Sequence, residues 1–268
     1  MKFQKNGLTI AGSDSSGGAG IQADIKSFSA NGVFGMSVIT SVTAQNTAGV
    51  TDVEDLSPRI IESQIRAIFD DIKVDCVKIG MVSNKAAVDT IASVLSHIKG
   101  IVRDFPPVVV DPVMVSTSGS RLLKEDAMEA LVSRLIPLSD IVTPNIPEAE
   151  VLAGMDIDTV EDMKTAASKI KEFGAGYVLV KGGHLEGKAI DILYDGDSYT
   201  EFSSDKIEST STHGTGCTLS SAIAANLAKG CGMEEAVESA KRYVTGAIEN
   251  GLDIGSGNGP TNHFYLLD

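Results

Sequence analysis

His213, Gly214, Thr215, Gly216 and Cys217 stand directly before a helix-forming run that extends to Lys229. Glycines at 214 and 216 let the backbone turn tightly and aim successive N–H groups at one point, and the helix that starts there adds the positive end of its dipole. Those residue types in that order make a cradle for an anion. A cysteine in the first turn of such a helix sits where a thiolate is favoured, so the spacing predicts a thiol pKa below its ordinary value of about 8.5. An anion site and a potential base thus share five residues. The competing expectation is a helix start whose small residues serve close packing and whose cysteine is buried and inert, because free cysteine is among the most buried residue types.

Other chemistry-bearing residues follow apolar runs. Asn145 and Glu148 lie three apart at a helix start, a spacing that suits a helix cap and equally a carboxylate that holds magnesium at a phosphoryl-transfer site. Asp111, in an Asp-Pro step after Val108–Val110, is a second magnesium candidate or an ordinary turn. Lys181 closes an apolar strand before Gly182 and Gly183, so it either reaches solvent or neutralises nucleotide phosphates. His184 and His213 read as loop residues near a nucleotide, and His97 and His263 as exposed or local packing residues. Gly18-Ala19-Gly20 opens a match to the dinucleotide fingerprint, but seven residues from Ala11 to Gly18 and the lack of an acidic residue between Asp24 and Asp52 exclude that reading. Gly182 to Ala189 nearly reproduces a P-loop, yet Ala189 lacks the magnesium-binding hydroxyl and a strand-like run follows where a helix is required.

The elements that must position these residues are legible as a pattern. Short runs rich in Val and Ile alternate with amphipathic segments of helical length, as in a parallel sheet covered on both faces. Strands are expected at 8–11, 38–42, 77–79, 108–111, 141–142, 177–181, 190–194 and 199–202. Helices are expected at 20–31, 58–72, 85–97, 124–135, 147–152, 160–173, 216–229 and 234–250. Asp195-Gly196-Asp197 marks a hairpin, so the last two strands form an antiparallel pair at one edge. The 268 residues, 43% of them hydrophobic, and the absence of a repeat or linker indicate one α/β/α domain. In such sheets the ligand lies beyond the carboxyl ends of the strands, where Gly12–Gly20, Gln45, Met81, Val113, Asn145 and Lys181 collect. A formal net charge of -14 argues against a nucleic-acid partner. Three cysteines without CxxC spacing suggest neither a disulfide framework nor a zinc ribbon, and the absence of a long apolar stretch points to a soluble cytoplasmic protein.

Four separated segments, Ala11–Asp24, Thr143–Glu148, Val178–Gly183 and Thr212–Cys217, occur in the order found in the ribokinase-like superfamily. Within it the sequence resembles the hydroxymethylpyrimidine/phosphomethylpyrimidine kinases of thiamine synthesis, from Leu8 to about Gly251. The resemblance implies a ribokinase-like three-layer α/β/α sandwich with a mostly parallel sheet. It also implies transfer of the γ-phosphoryl group of ATP to a primary alcohol with Mg2+, and a homodimer. By that comparison Cys217 is the general base, in a position where sugar kinases of the superfamily carry Asp, and Gly214, Thr215 and Gly216 supply the oxyanion-hole backbone. Lys181 would meet ATP phosphates, Asn145 with Glu148 would organise magnesium, and Gly12, Asp24, Gln45, Met81 and Val113 would line the pyrimidine pocket. A carboxamide at Gln45 offers a donor and an acceptor in the order an aminopyrimidine requires. Related pyridoxal kinases tend to carry an apolar residue there, so pyrimidine is the expected substrate and pyridoxal the alternative. A non-catalytic pyrimidine sensor on the same fold is a further alternative.

Overall fold

Val108–Val110 (β5) shows why the sheet is buried on both sides. Successive strand side chains point to opposite faces, so Val108 and Val110 join one apolar core and Val109 the other. Val178 and Val180 against Leu179 repeat the division on Tyr177–Gly182 (β7). The computed structural model describes residues 4–114, 125–183 and 188–267. The remaining strands are Asn6–Asp14 (β1), Phe34–Asn46 (β2), Gly49–Asp55 (β3), Cys76–Ile79 (β4), Ile141–Val142 (β6), Ala189–Tyr194 (β8) and Tyr199–Ser204 (β9). These nine strands, counted among the described residues, form one sheet in the order β3-β2-β1-β4-β5-β6-β7-β8-β9.

From β2 to β7 the neighbours are parallel, and β8 and β9 close one edge as the expected antiparallel hairpin. The other edge holds a strand that the hydrophobic pattern did not indicate. β3 folds back antiparallel on β2, and its acidic, largely exposed residues lack the alternation of a half-buried strand.

Among the described residues eight helices cover the sheet: Gly20–Ala30 (α1), Pro58–Phe69 (α2), Lys85–Ile101 (α3), Glu125–Ala130 (α4), Ile146–Ala153 (α5), Val160–Lys171 (α6), Thr215–Ala228 (α7) and Met233–Glu249 (α8). The buried sides of α2 to α6 share the core that contains Val108, whereas α1, α7 and α8 pack on the opposite face. The single helix expected at 124–135 is instead α4 followed by a widened turn, Leu131–Leu135, that leads into Pro137. Lys124 and the segment 184–187, which includes His184 and the centre of the P-loop-like run, lie outside the described residues. β8 begins at Ala189, so a strand rather than a helix follows that run. Parallel pairing brings the carboxyl ends of β1, β4, β5, β6 and β7 to the same side as the start of α7, and the candidate residues gather there.

Candidate functional site

Gly214 caps α7 in a left-handed conformation, φ 79°, that an L side chain rarely adopts. A Cβ there would overlap the carbonyl oxygen of Gly18, and one at Gly18 would overlap the His213 ring. The glycines of the loop after β1 therefore admit close approach of the two loops, which is a reason for their presence unrelated to dinucleotides. Among the described residues no side chain caps α7. The N–H groups of its first turn have no partner inside the helix, and this is the group that binds anions in many proteins.

The start of α7 faces a charged pair. A Cβ on Gly216 would stand 3.4 Å from Lys181 Nζ and 3.5 Å from Asp111 Oδ2. Lys181 Nζ donates to Asp111 Oδ1 at 2.9 Å, and Asp111 also accepts from Thr143 Oγ1 at 3.2 Å and Ser220 Oγ at 3.3 Å. Burial works against both charges, but Lys181, Lys78 and the hydrogen bonds together outweigh it and hold the Asp111 carboxyl below its usual range; Asp111 and Glu148 in turn hold the Lys181 ammonium above its own. Lys181 is bridged to Asn145, and its backbone N–H donates to Pro144.

Asn145 and Glu148 do form the capping box of α5. Glu148 N–H donates to Asn145 Oδ1 at 2.9 Å, and Asn145 N–H donates to Glu148 Oε2 at 2.8 Å. Met114 N–H donates to the other Glu148 oxygen at 3.4 Å. The cap does not exclude a second role. Burial, with Asp111 adding to it and Lys181 opposing it, raises the Glu148 carboxyl to about 7. A carboxylate in this state lacks compensating positive charge. Two neighbouring carboxylates suit magnesium, which usually takes one or two of them and completes its shell with water and phosphate oxygens. Among the described residues there is no group of three or more His, Cys, Asp and Glu that would enclose a metal by protein ligands alone.

The residues expected for the pyrimidine lie near or just after the carboxyl ends of β1, β2, β4 and β5. Gly12 N–H donates to the Met81 carbonyl at 3.1 Å, and a Cβ on Gly12 would meet Met81 Sδ at 3.2 Å and Ser41 Oγ at 2.8 Å. Gln45 is half-buried at the end of β2. Its backbone N–H and carbonyl both pair with Ser15 Oγ, at 2.9 and 2.6 Å, and its Oε1 accepts from Thr43 Oγ1 at 3.2 Å. Val113 is partly accessible and its N–H donates to the Asp111 carbonyl.

Three expectations are corrected. Asp24 is fully enclosed: Lys78 Nζ donates to both its oxygens at 2.8 and 3.0 Å, Thr9 Oγ1 to one at 2.6 Å and Ser221 Oγ to the other at 2.8 Å. Its carboxylate is spent inside the protein instead of lining the pocket. His213 is likewise buried, with Nε2 at 2.7 Å from Asp14 Oδ2, so it ties two loops together and does not face a nucleotide. Asp14 also accepts from Ser16 N–H, Ser16 Oγ and Ala19 N–H. Burial pushes the Asp14 carboxyl up, and these bonds, that to His213 first, outweigh it and bring it to about 2. The third correction is Cys217. Desolvation raises its thiol to about 11, with Lys78 opposing it. The helix start therefore does not make it a thiolate in the ligand-free protein. Cys217 as a residue nonetheless remains partly accessible, and its thiol is acted on by Lys78, Asp111 and Lys181.

Lys78 and Asp14 were missed as site-supporting residues. A lysine inside Cys76-Val-Lys-Ile79, an otherwise apolar buried strand, was the available signal, because lysine is almost never fully buried unless paired.

Comparison with known proteins agrees with this geometry. The family model described as phosphomethylpyrimidine kinase matches residues 14–262. The chain is 52% identical over 262 residues to a hydroxymethylpyrimidine/phosphomethylpyrimidine kinase of Rhizobium meliloti, covering 96% of each chain. It is 48% identical to the thiamine biosynthesis bifunctional protein ThiED of Geobacter sulfurreducens, covering 97% of this chain and 52% of that one. Among solved structures, an ADP complex of Bacillus subtilis pyridoxal kinase superposes with a TM-score of 0.89 at 39% identity over 98% of each chain. The phosphomethylpyrimidine kinase of Clostridium difficile 630 does so with a TM-score of 0.80 at 50% identity, over 91% of this chain and 100% of that one. A sheet of ribokinase-like order, an uncapped glycine-rich helix start against Lys181 and Asp111, and these matches over nearly the whole length make the chain a member of the phosphomethylpyrimidine kinase family.

Proposed function

We propose that this chain transfers the γ-phosphoryl group of ATP to the hydroxymethyl group of 4-amino-5-hydroxymethyl-2-methylpyrimidine, and then to the resulting monophosphate, in thiamine biosynthesis. The observation that carries the reading is the uncapped start of α7 beside the Lys181–Asp111 pair. A transferring phosphoryl group there meets first-turn N–H groups of α7 on one side and the Lys181 ammonium on the other. Phosphoryl transfer asks the protein chiefly for positioning and charge stabilisation, through a loose transition state, so no covalent intermediate is needed. Cys217 takes the alcohol proton in its thiolate form as the oxygen attacks phosphorus and ADP departs, so the raised thiol must first lose its own proton. Glu148 with Asp111 would hold magnesium, which when bound adds positive charge beside the phosphates. Asn145 fixes Glu148 through the cap, and Gln45, Gly12, Met81 and Val113 border the pyrimidine.

Gln45 supports pyrimidine over pyridoxal, because its amide can pair with a ring nitrogen and its exocyclic amine together. Residues 1–268 act as one kinase domain in this reading, as a homodimer in the cytoplasm. No helix among the described residues is long and apolar enough to cross a membrane. The test is ADP release with the hydroxymethylpyrimidine and pyridoxal in parallel, together with C217A. The expected outcome is turnover of the pyrimidine at much the higher kcat/KM and a fall in kcat of roughly 10²-fold in C217A, the usual contribution of a general base. Turnover confined to pyridoxal, or none with either substrate, would refute the assignment; light scattering checks the dimer.

A further inference from the structure

α1 and α7 pack side by side, and Ser221 Oγ of α7 donates to Asp24 of α1 at 2.8 Å. Cys217 stands one level above, four residues before Ser221 on α7. Four residues are about one helical turn, near 5.4 Å. Lys78 reaches this lower level from β4. Thr9 and Lys78 project from the sheet toward α1 and α7, because Leu8, Ile10, Val77 and Ile79 on either side of them join the opposite core. Lys78 Nζ lies 2.6 Å from where a Cβ of Gly80 would stand, so the ammonium extends toward the carboxyl end of its strand, where the site opens. The side chains of Lys78 and Asp24 are both fully buried.

A buried ion pair is poor value for stability alone, since apolar residues of similar volume usually serve as well or better. We propose that Lys78 is a positioning residue for phosphoryl transfer: its buried ammonium, anchored by Asp24 about one turn below Cys217, supplies the positive charge that lets the sulfur accept the substrate's proton. The charged groups around the sulfur are Asp24 from α1, Lys78 from β4, Asp111 from the end of β5 and Lys181 from β7. Lys78 acts on the thiol in the direction of ionisation and the two aspartates act against it. Asp24 holds the cation in place and limits its effect.

The proposal rests on Cys217 as the proton acceptor, and its test does not depend on turnover. The rate of alkylation by iodoacetamide at pH 8.5, read at Cys217 by peptide mass spectrometry, follows the thiolate fraction and excludes Cys76 and Cys231. K78M is expected to slow it by about tenfold or more, since a neighbouring opposite charge shifts a pKa by about 1–3 units. K78R should remain near the wild-type rate, and D24N, which removes the opposing anion, should exceed it. A folded K78M alkylated within about twofold of wild type, by that same scale, overturns the proposal. Should K78M fail to fold, D24N decides: a rate equal to or below wild type overturns it. A C217A enzyme with full turnover would instead remove the thiol from the reaction and leave the measured charge coupling intact, so the two failures are distinguishable.

Discussion

Replacing Gly216 with alanine separates folding from phosphoryl transfer at a single methyl group. Gly216 is the second residue of α7 and its φ is not in the left-handed region, so alanine fits the backbone there. The nearest atoms to the new Cβ would be Lys181 Nζ at 3.4 Å and Asp111 Oδ2 at 3.5 Å, ordinary contact distances that require no backbone movement. Alanine is favoured over glycine inside a helix by up to about 1 kcal/mol, less in the first turn, so G216A should be as stable as wild type or slightly more so. For a chain of this length that corresponds to a Tm change of no more than about 2–4 °C upward. The same methyl would stand against Lys181 and Asp111 at the helix start, where the proposed function places the transferring phosphoryl group. Displacing the reacting group by even about 1 Å costs on the order of 10²-fold, so kcat should fall by at least that much while the fold is kept. Thermal unfolding and coupled ADP release measure the two halves. G216A turning over within a few-fold of wild type would refute the placement of the transferring group, and a Tm lowered by many degrees would refute the packing argument.

Further outcomes concern the carboxylates and Gln45. Asp14 has a folded pKa of about 2, below its ordinary value of 3.8, so its contribution is present above the latter and is lost as pH falls through the former. That shift corresponds to roughly 2 kcal/mol, and D14N should lack this acid dependence in urea unfolding while being less stable at neutral pH. Glu148 has the opposite sign: raised from 4.5 to about 7, it stabilises the fold below the ordinary value and loses that contribution as pH rises through about 7. E148Q should therefore show a flatter Tm profile over that interval and a higher Tm at pH 8 than wild type without added metal, together with a large loss of magnesium-dependent turnover. Q45M should reduce kcat/KM for the pyrimidine by about tenfold, the loss of one or two hydrogen bonds, and leave a pyridoxal reaction less affected; equal loss for both would remove Gln45 from substrate discrimination.

Much of the architecture was legible because burial on both faces leaves a continuous apolar run. Val108–Val110 and Val178–Val180 could be little else than central strands, and the alternation with amphipathic segments gave the layers. β3 escaped notice because an exposed edge strand paired on one side carries acidic residues without a buried face. The widened turn after α4 also left no trace, since its apolar spacing continues that of the helix.

The site divides in the same way. Glycines at 214 and 216 before an apolar helix, Lys181 at a strand end and the Asn145/Glu148 spacing are local signals, and the chain alone determined that they belong at one end of a parallel sheet. Only the tertiary structure decided which charges meet. Asp24 and Lys78 are 54 residues apart, as are Asp14 and His213 by 199, and no periodicity encodes such encounters. Their burial changed the chemistry read from the sequence. It withdrew Asp24 and His213 from the ligands and raised the Cys217 thiol that a helix start alone would lower, because the cost of a charge is set by what surrounds it in space and not by its neighbours along the chain.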